Sequence, residues 1–371
     1  MATHNANNER IKRQYFAYLK EARRYSEETV DAVAKSLARF EAANKYRDFK
    51  AFHYEQAIAF KRHLAEQNSA VSGMKLSKAT LHATLTHLKR FFQWVSMQPG
   101  FKAHVRFFGA EYFNLSENET RIATARRHKA FPTVEQVRHA IACMPAVSDI
   151  ERRDRALVAC TLLTGARDSA LASMCLKHVD LVGNCIHQDA REVRTKFRKT
   201  FDTYFLPVGN DVRQIFAEWV TLLRRDKLWG NDDPLFPATE IVVGADRRFQ
   251  VAGLKRVHWN SAAPIRTIFR HAFEAAGLPY FNPHSLRSTL AHLAETLCQS
   301  PEEFKAFSQN LGHEGVLTTF NSYGQVASHR QRELILNLGQ QPRRQPEADE
   351  IAEAVFRRLN PQPGALPGAA T

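Results

Sequence analysis

The sequence predicts a mainly α-helical protein in two parts, with a small antiparallel β-sheet confined to the second part. Three observations carry this reading. At 371 residues the chain exceeds one ordinary domain, and a division into two is the natural expectation. Apolar residues recur at helical spacing through most of the first hundred positions. Between residues 185 and 208 the period shortens to that of strands.

Taken in order, residues 8–24 read as a helix with Ile11, Tyr15 and Leu19 on one stripe. Ser26 is placed to cap a second helix, with Glu27, Glu28 and Asp31 in its first turn and Val30, Val33, Leu37 and Phe40 facing inward. A third runs from Tyr54 to Glu66, and a loop with Ser69, Ser72 and Gly73 follows. The fourth has the clearest pattern: Ser77 caps it, Leu81, Leu85, Leu88, Phe92 and Val95 recur on one face, and Lys78, His82, Lys89 and Gln93 fall on the others. Residues 1–115 therefore form a helical domain. Residues 116–130, polar and basic with little apolar periodicity, read as a linker.

The second domain, 131–340, opens at Phe131-Pro132-Thr133, where Thr133 and Gln136 make a capping box. A second helix, Arg153 to Thr164, turns Leu157, Cys160, Thr161 and Leu163 inward and delivers the chain to Gly165 and Arg167. Residues 185–187, 192–196 and 203–208 read as strands, the last two forming a hairpin. Helices resume at Asp211–Arg225 and Ala263–Ala276, separated by the turn Pro234-Leu235-Phe236-Pro237 and a polar, basic stretch at 238–260 read as a loop. Residues 331–338 continue as helix; in 341–371, Ile351, Val355 and Leu359 mark a last amphipathic helix before a Pro/Gly/Ala-rich, disordered tail.

Charge narrows the partners. The net charge is +14, and residues 1–130 hold 23 Lys+Arg against 12 Asp+Glu, so +11 of it lies in the first third. That balance points to a polyanion. The basic residues are spread over several helices, which argues against a membrane surface. No apolar run approaches the ~20 residues of a membrane span, and no signal peptide opens the sequence. Five cysteines with no CxxC pair suit reduced thiols. A soluble protein of the cytosol is expected.

The chemistry concentrates late in the chain. His284 and Arg287 stand three residues apart on one side of a helical turn. Leu311-Gly312-His313 and then Tyr323 follow, and a second arginine, Arg167, comes after a glycine turn in Thr164-Gly165-Ala166-Arg167. Guanidinium and imidazole groups cradle a phosphate, and a phenol can attack it. A metal site at His284 and His313 is disfavoured, because no carboxylate or cysteine stands at ligand spacing and the arginine would repel a cation.

These segments resemble the tyrosine recombinase (phage integrase) family, over residues 131–330 and more loosely before them. Five separated motifs occur in the family's order: T-G-x-R at Arg167, a hairpin lysine, H-x-L-R at His284 and Arg287, L-G-H at His313, and the tyrosine Tyr323. The resemblance implies a helical core-binding domain followed by a mixed α/β catalytic domain. It implies a site-specific DNA recombinase, an integrase or excisionase of a mobile element, that passes through a 3′-phosphotyrosyl intermediate and a Holliday junction. The partner is double-stranded DNA carrying recombination sites; the chain is a monomer when free and a homotetramer in the synaptic complex.

Residue by residue, Tyr323 is the implied nucleophile, and Arg167, Arg287 and His313 bind the scissile phosphate. His284 positions or deprotonates the nucleophile, and Lys196 protonates the leaving 5′-oxygen. Lys199 competes for that last role, since it lies nearer the usual distance before the proline that ends the next strand, although Lys196 fits the motif better. Lys78, His82 and Lys89, with Arg126, Arg127 and Lys129 of the linker and Lys199, are the expected DNA contacts. The covalent link stores the bond energy, so no cofactor, nucleotide or metal is implied. Two departures stand out: Ala170 occupies a usually acidic position, leaving Asp168 to orient Arg167, and Tyr323 follows His313 by ten residues where nine is more frequent. The competing readings are a topoisomerase of type IB and a catalytically dead DNA-binding regulator on the same fold.

Overall fold

The computed structural model describes residues 4–69, 73–125, 130–244 and 247–313. Contacts divide the chain into two compact units, Met1–Arg127 and His128–Thr371, each with its own apolar core.

The first unit is helical: α1 (Ala6–Ala17), α2 (Glu27–Ala43), α3 (Tyr54–Glu66), α4 (Lys78–Ser96) and α5 (Glu117–Thr124). Asn5 starts α1 by accepting the backbone N–H groups of Asn7 and Asn8, and Ser26 and Ser77 do the same for Thr29 and Thr80. After Ala17 the helix widens into a π turn, Tyr18–Ala22, which still buries Leu19 beside Ile11 and Tyr15. The core is aromatic. Phe92 of α4 stacks on Phe52 at 3.9 Å and meets Phe40 of α2 edge-on at 5.2 Å. Each such buried ring contributes about 1.5–3 kcal/mol of transfer free energy. Residues 117–124, expected within the linker, are instead α5, nucleated by a reciprocal Ser116–Glu119 capping box and packed on α4.

The second unit begins with α6 (Val134–Cys143), opened by the expected Thr133–Gln136 box, and α7 (Asp149–Thr164), which starts four residues earlier than expected because Ser148 and Glu151 form another box. A short α8 (Asp168–Leu171) leads to β1 (Val179–Asp180), β2 (Cys185–Gln188) and β3 (Phe201–Tyr204), an antiparallel sheet of order β1-β2-β3. Helix α9 (Asn210–Thr221), the hairpin β4 (Ala238–Val243) and β5 (Phe249–Lys255), and helices α10 (Ala263–Ala275), α11 (Ser285–Leu297) and α12 (Pro301–Asn310) complete the described part. Helix α7 is the central element, buried from Ala156 to Thr164.

Two further sequence expectations are corrected. Residues 192–196 are not a strand: the N–H groups of Glu192 and Val193 both donate to Asp189 O, and that of Arg194 goes to Ser173 Oγ, so no ladder can form. Instead β2 pairs directly with β3, Gln188 opposite Phe201, and residues 189–200 span the gap as a loop. The polar stretch after Pro237 is the β4–β5 hairpin; no side of it is fully buried, so it lacks the one-sided alternation that would have marked it. Helix α12, absent from the sequence reading, is capped by Ser300 and Glu303.

Candidate active site

Two glycines bring the distant motifs together. Gly165 ends α7 in the left-handed region, φ +62°, and a Cβ there would lie 2.6 Å from Leu311 and 3.1 Å from Leu290. Gly312, φ +67°, sits equally close against the ring of Phe201 on β3. Thr164 reinforces the first turn: its hydroxyl donates to Cys160 O and accepts from the N–H of Ala166. Arg167, the residue after Ala166, is thereby held at the start of α8.

Arg287, in the first turn of α11, is 6% exposed. It donates to Gly165 O at 2.6 Å, to Leu311 O at 2.6 Å and to His313 Nε2 at 2.7 Å. One guanidinium thus ties the T-G-x-R turn, the H-x-L-R helix and the L-G-H turn into a single unit. A guanidinium has no acceptor, so His313 Nε2 must be the acceptor and its proton must sit on Nδ1. The surroundings favour that neutral ring: burial, then the charges of Arg287, Arg167, His284 and Lys196, pushes the His313 imidazole down to about 4. Burial, followed by Arg167, also lowers the proton affinity of Arg287, but a guanidinium ordinarily above 12 stays charged at neutral pH.

Arg167 is half-buried, and burial lowers its proton affinity too. Its guanidinium donates to none of the described residues. Asp168 does not orient it as expected: that carboxylate accepts from Arg266 Nε and Nη2 at 3.1 and 3.0 Å. Ala170 is 1% exposed and part of the core. His284, exposed at the mouth of α11, lines with Arg167, Arg266 and Asn282 a cavity of about 340 Å³.

Lys196 lies in the β2–β3 loop in place of the hairpin tip expected, exposed, with Nζ 4.8 Å from the ring centre of Phe197. Lys199, half-buried, stands two residues before β3. The structure therefore gathers Arg167, His284, Arg287 and His313 with Lys196 near enough for its charge to be felt at His313. Among the described residues no carboxylate pairs with Arg167 or Arg287. Such a concentration of unneutralised positive charge, partly desolvated, suits one oxyanion with several charged oxygens.

Tyr323, Arg126, Arg127 and Lys129 lie outside the described residues. In the first unit Lys89 is committed to Glu111 at 2.8 Å, and Lys78 stands 3.8 Å from Glu119. His82 is half-buried on the same helix. Arg90, which sequence reasoning passed over, is exposed on α4 and has no ion-pair partner among the described residues. Asn310 was also missed: its side chain joins the end of α12 to β3, and no motif marks it.

Comparisons with known proteins agree on one family. Residues 131–330 match the model described as the phage integrase family, and residues 13–98 match the phage integrase N-terminal SAM-like domain. A tyrosine recombinase XerC from Lactobacillus leichmannii is 26% identical over 315 residues, covering 83% of this chain and 92% of that protein. Among solved structures, a lambda integrase dimer bound to a COC′ core site is 14% identical, with a TM-score of 0.58 over 86% of this chain and 97% of that one. The Tn1549 transposon integrase in complex with transposon right end DNA is 16% identical, with a TM-score of 0.55 over 89% and 99%. At these identities the two structures speak for the fold.

Proposed function

The chain belongs to the phage integrase family, and from that premise we propose that it is a site-specific DNA recombinase in which Tyr323 is the nucleophile. The observation that supports this reading is the Arg287 hub, which ties the turn before Arg167 to the turn that carries His313. Tyr323 Oη attacks the scissile phosphorus, the bond from phosphorus to the 5′-oxygen breaks, and Lys196 gives that oxygen its proton. His284 orients the phenol or takes its proton. Arg167, Arg287 and His313 stabilise the charge that grows on the non-bridging oxygens. The 3′-phosphotyrosyl bond conserves the energy for rejoining, so the cycle calls for no metal and no nucleotide.

One tyrosine per chain cuts one strand. Exchange between two duplexes requires four cuts, hence a tetramer acting on paired strands in turn, through a Holliday junction, from chains that are monomeric when free. The basic first unit, with Lys78, His82, Lys89 and the arginines near residue 126, grips the duplex through its phosphates. The substrate is the pair of recombination sites of a mobile element in a bacterial cytosol, a reading supported by the match to the phage integrase model.

The test is a nicked duplex from which the short product strand diffuses away. Wild-type chain should be trapped as a covalent adduct that peptide mapping places on Tyr323, and Tyr323→Phe should bind DNA but form none. An adduct on another tyrosine, or recombination by Tyr323→Phe, would sink the assignment.

A further inference from the structure

We propose that the outer face of the three-stranded sheet holds a zinc-class divalent cation between Asp180, Cys185 and His187. The topology puts the three donors on one face: Cys185 and His187 alternate along β2, and Asp180 of β1 is the register partner of Cys185. Their ligand atoms all lie within 4.8 Å of one another. Cys185 Sγ stands 3.7 Å from His187 Nε2. Metal–sulfur and metal–nitrogen bonds of about 2.3 and 2.0 Å at a tetrahedral angle separate their donors by about 3.5 Å.

Two further contacts prepare the donors. His187 Nδ1 bonds Asp202 Oδ1 at 2.7 Å across the β2–β3 register, which fixes the ring and leaves the lone pair on Nε2, toward the thiol. Asp180 Oδ1 accepts the N–H groups of Val182 and Gly183, and the second oxygen remains for a ligand; a Cβ on Gly183 would collide with it. In a chain of net charge +14 this face carries two carboxylates, and among the described residues neither is paired with a lysine or arginine. The nearby Arg213 is spent on Asn184 Oδ1 and Leu181 O. A thiolate, an imidazole and a carboxylate select zinc over calcium or magnesium, with water as the fourth ligand. The ion would clip β1 to β2, and through Asp202 also β3, at the base of the loop that carries Lys196.

The test titrates Co²⁺ into reduced, chelator-treated full-length protein. One equivalent should give a thiolate-to-metal charge-transfer band with tetrahedral ligand-field bands, displaced by Zn²⁺. Cys185→Ala should abolish the band, and Asp180→Asn, which keeps the turn's acceptor, should weaken cobalt affinity at least tenfold with unchanged far-ultraviolet circular dichroism. Cys143→Ala and Cys175→Ala, whose thiols lie near His139 and His258, should change nothing. Absence of the band, its survival in Cys185→Ala, or its loss in either control would overturn the proposal. None of these readouts depends on DNA cleavage.

Discussion

The side-chain amide of Asn310 holds the backbone of Tyr204 by both of its groups: Nδ2 donates to the carbonyl at 2.9 Å, and the N–H of Tyr204 donates to Oδ1 at 2.6 Å. The carbonyl of Asn310 also accepts from Thr203 Oγ1 at 3.3 Å. Asn310 ends α12 immediately before Leu311, whose carbonyl receives Arg287, and Tyr204 ends β3, the strand that follows the lysine loop. One residue therefore ties the end of α12, beside the guanidinium hub, to the strand that follows the lysine loop.

Asn310→Ala removes both amide contacts. Tyr204 is exposed and can turn to water, so the stability loss should stay near the low end for two hydrogen bonds, about 1–2 kcal/mol by denaturant titration. The strand-cleavage rate should fall much further than DNA affinity does. Equal losses of binding and cleavage would mean that Asn310 serves only the fold.

The two arginines should separate in a way that their motifs do not suggest. The Arg167 guanidinium makes no hydrogen bond to the described residues, so Arg167→Ala should cost little stability and about a hundredfold in cleavage, the usual effect of losing one preorganised donor. Arg287→Ala strands two carbonyls and the His313 ring, so about 3 kcal/mol of stability should go with the activity. Denaturant midpoints measured beside single-turnover rates decide this, and comparable destabilisation by both substitutions would contradict the hub.

What was legible in the sequence follows from where the signal resides. The helices of the first unit were readable because Ser26 and Ser77 declare their starts and their apolar stripes face a single core. The site was readable as motifs because Gly165 and Gly312 hold left-handed turns that few other residues tolerate. The loop bearing Lys196 was misread, since Val193 and Thr195 look like strand residues while the acceptors that bend the chain, Asp189 O and Ser173 Oγ, come from outside the run. Asn310 was invisible because its partner stands 106 residues away.

His313 supplies a pH prediction. Its imidazole is held at about 4 against an ordinary 6.5, by burial first and neighbouring positive charge second. In the free protein the ring should be neutral throughout the neutral range, with a midpoint near 4 in a histidine-resolved NMR titration. As pH falls from about 6.5 toward 4, the unfolded chain takes up a proton that the folded one refuses, so His313 should subtract stability across that window. A phosphate in the site favours the imidazolium, and DNA binding should raise the midpoint. Affinity should then increase as pH drops between the free and bound values. A midpoint at 6.5 in the free protein would mean that the cationic surroundings are not felt.

The lysine can be assigned by the bond it helps to break. Lys196 is exposed, and its charge reaches His313, whereas Lys199 is half-buried before β3. If Lys196 gives its proton to the departing 5′-oxygen, replacing that oxygen with sulfur removes the need for the proton, because a thiolate leaves unaided. Lys196→Ala should therefore cleave the sulfur-bridged duplex at close to the wild-type rate while remaining about a hundredfold slow on ordinary DNA. Arg167→Ala should stay slow on both, since charge on the non-bridging oxygens develops either way. Asn310→Ala should behave like the lysine variant to the extent that it displaces the loop. Rescue of Lys199→Ala with none for Lys196→Ala would move the proton donor three residues along the loop and leave Lys196 as a phosphate contact.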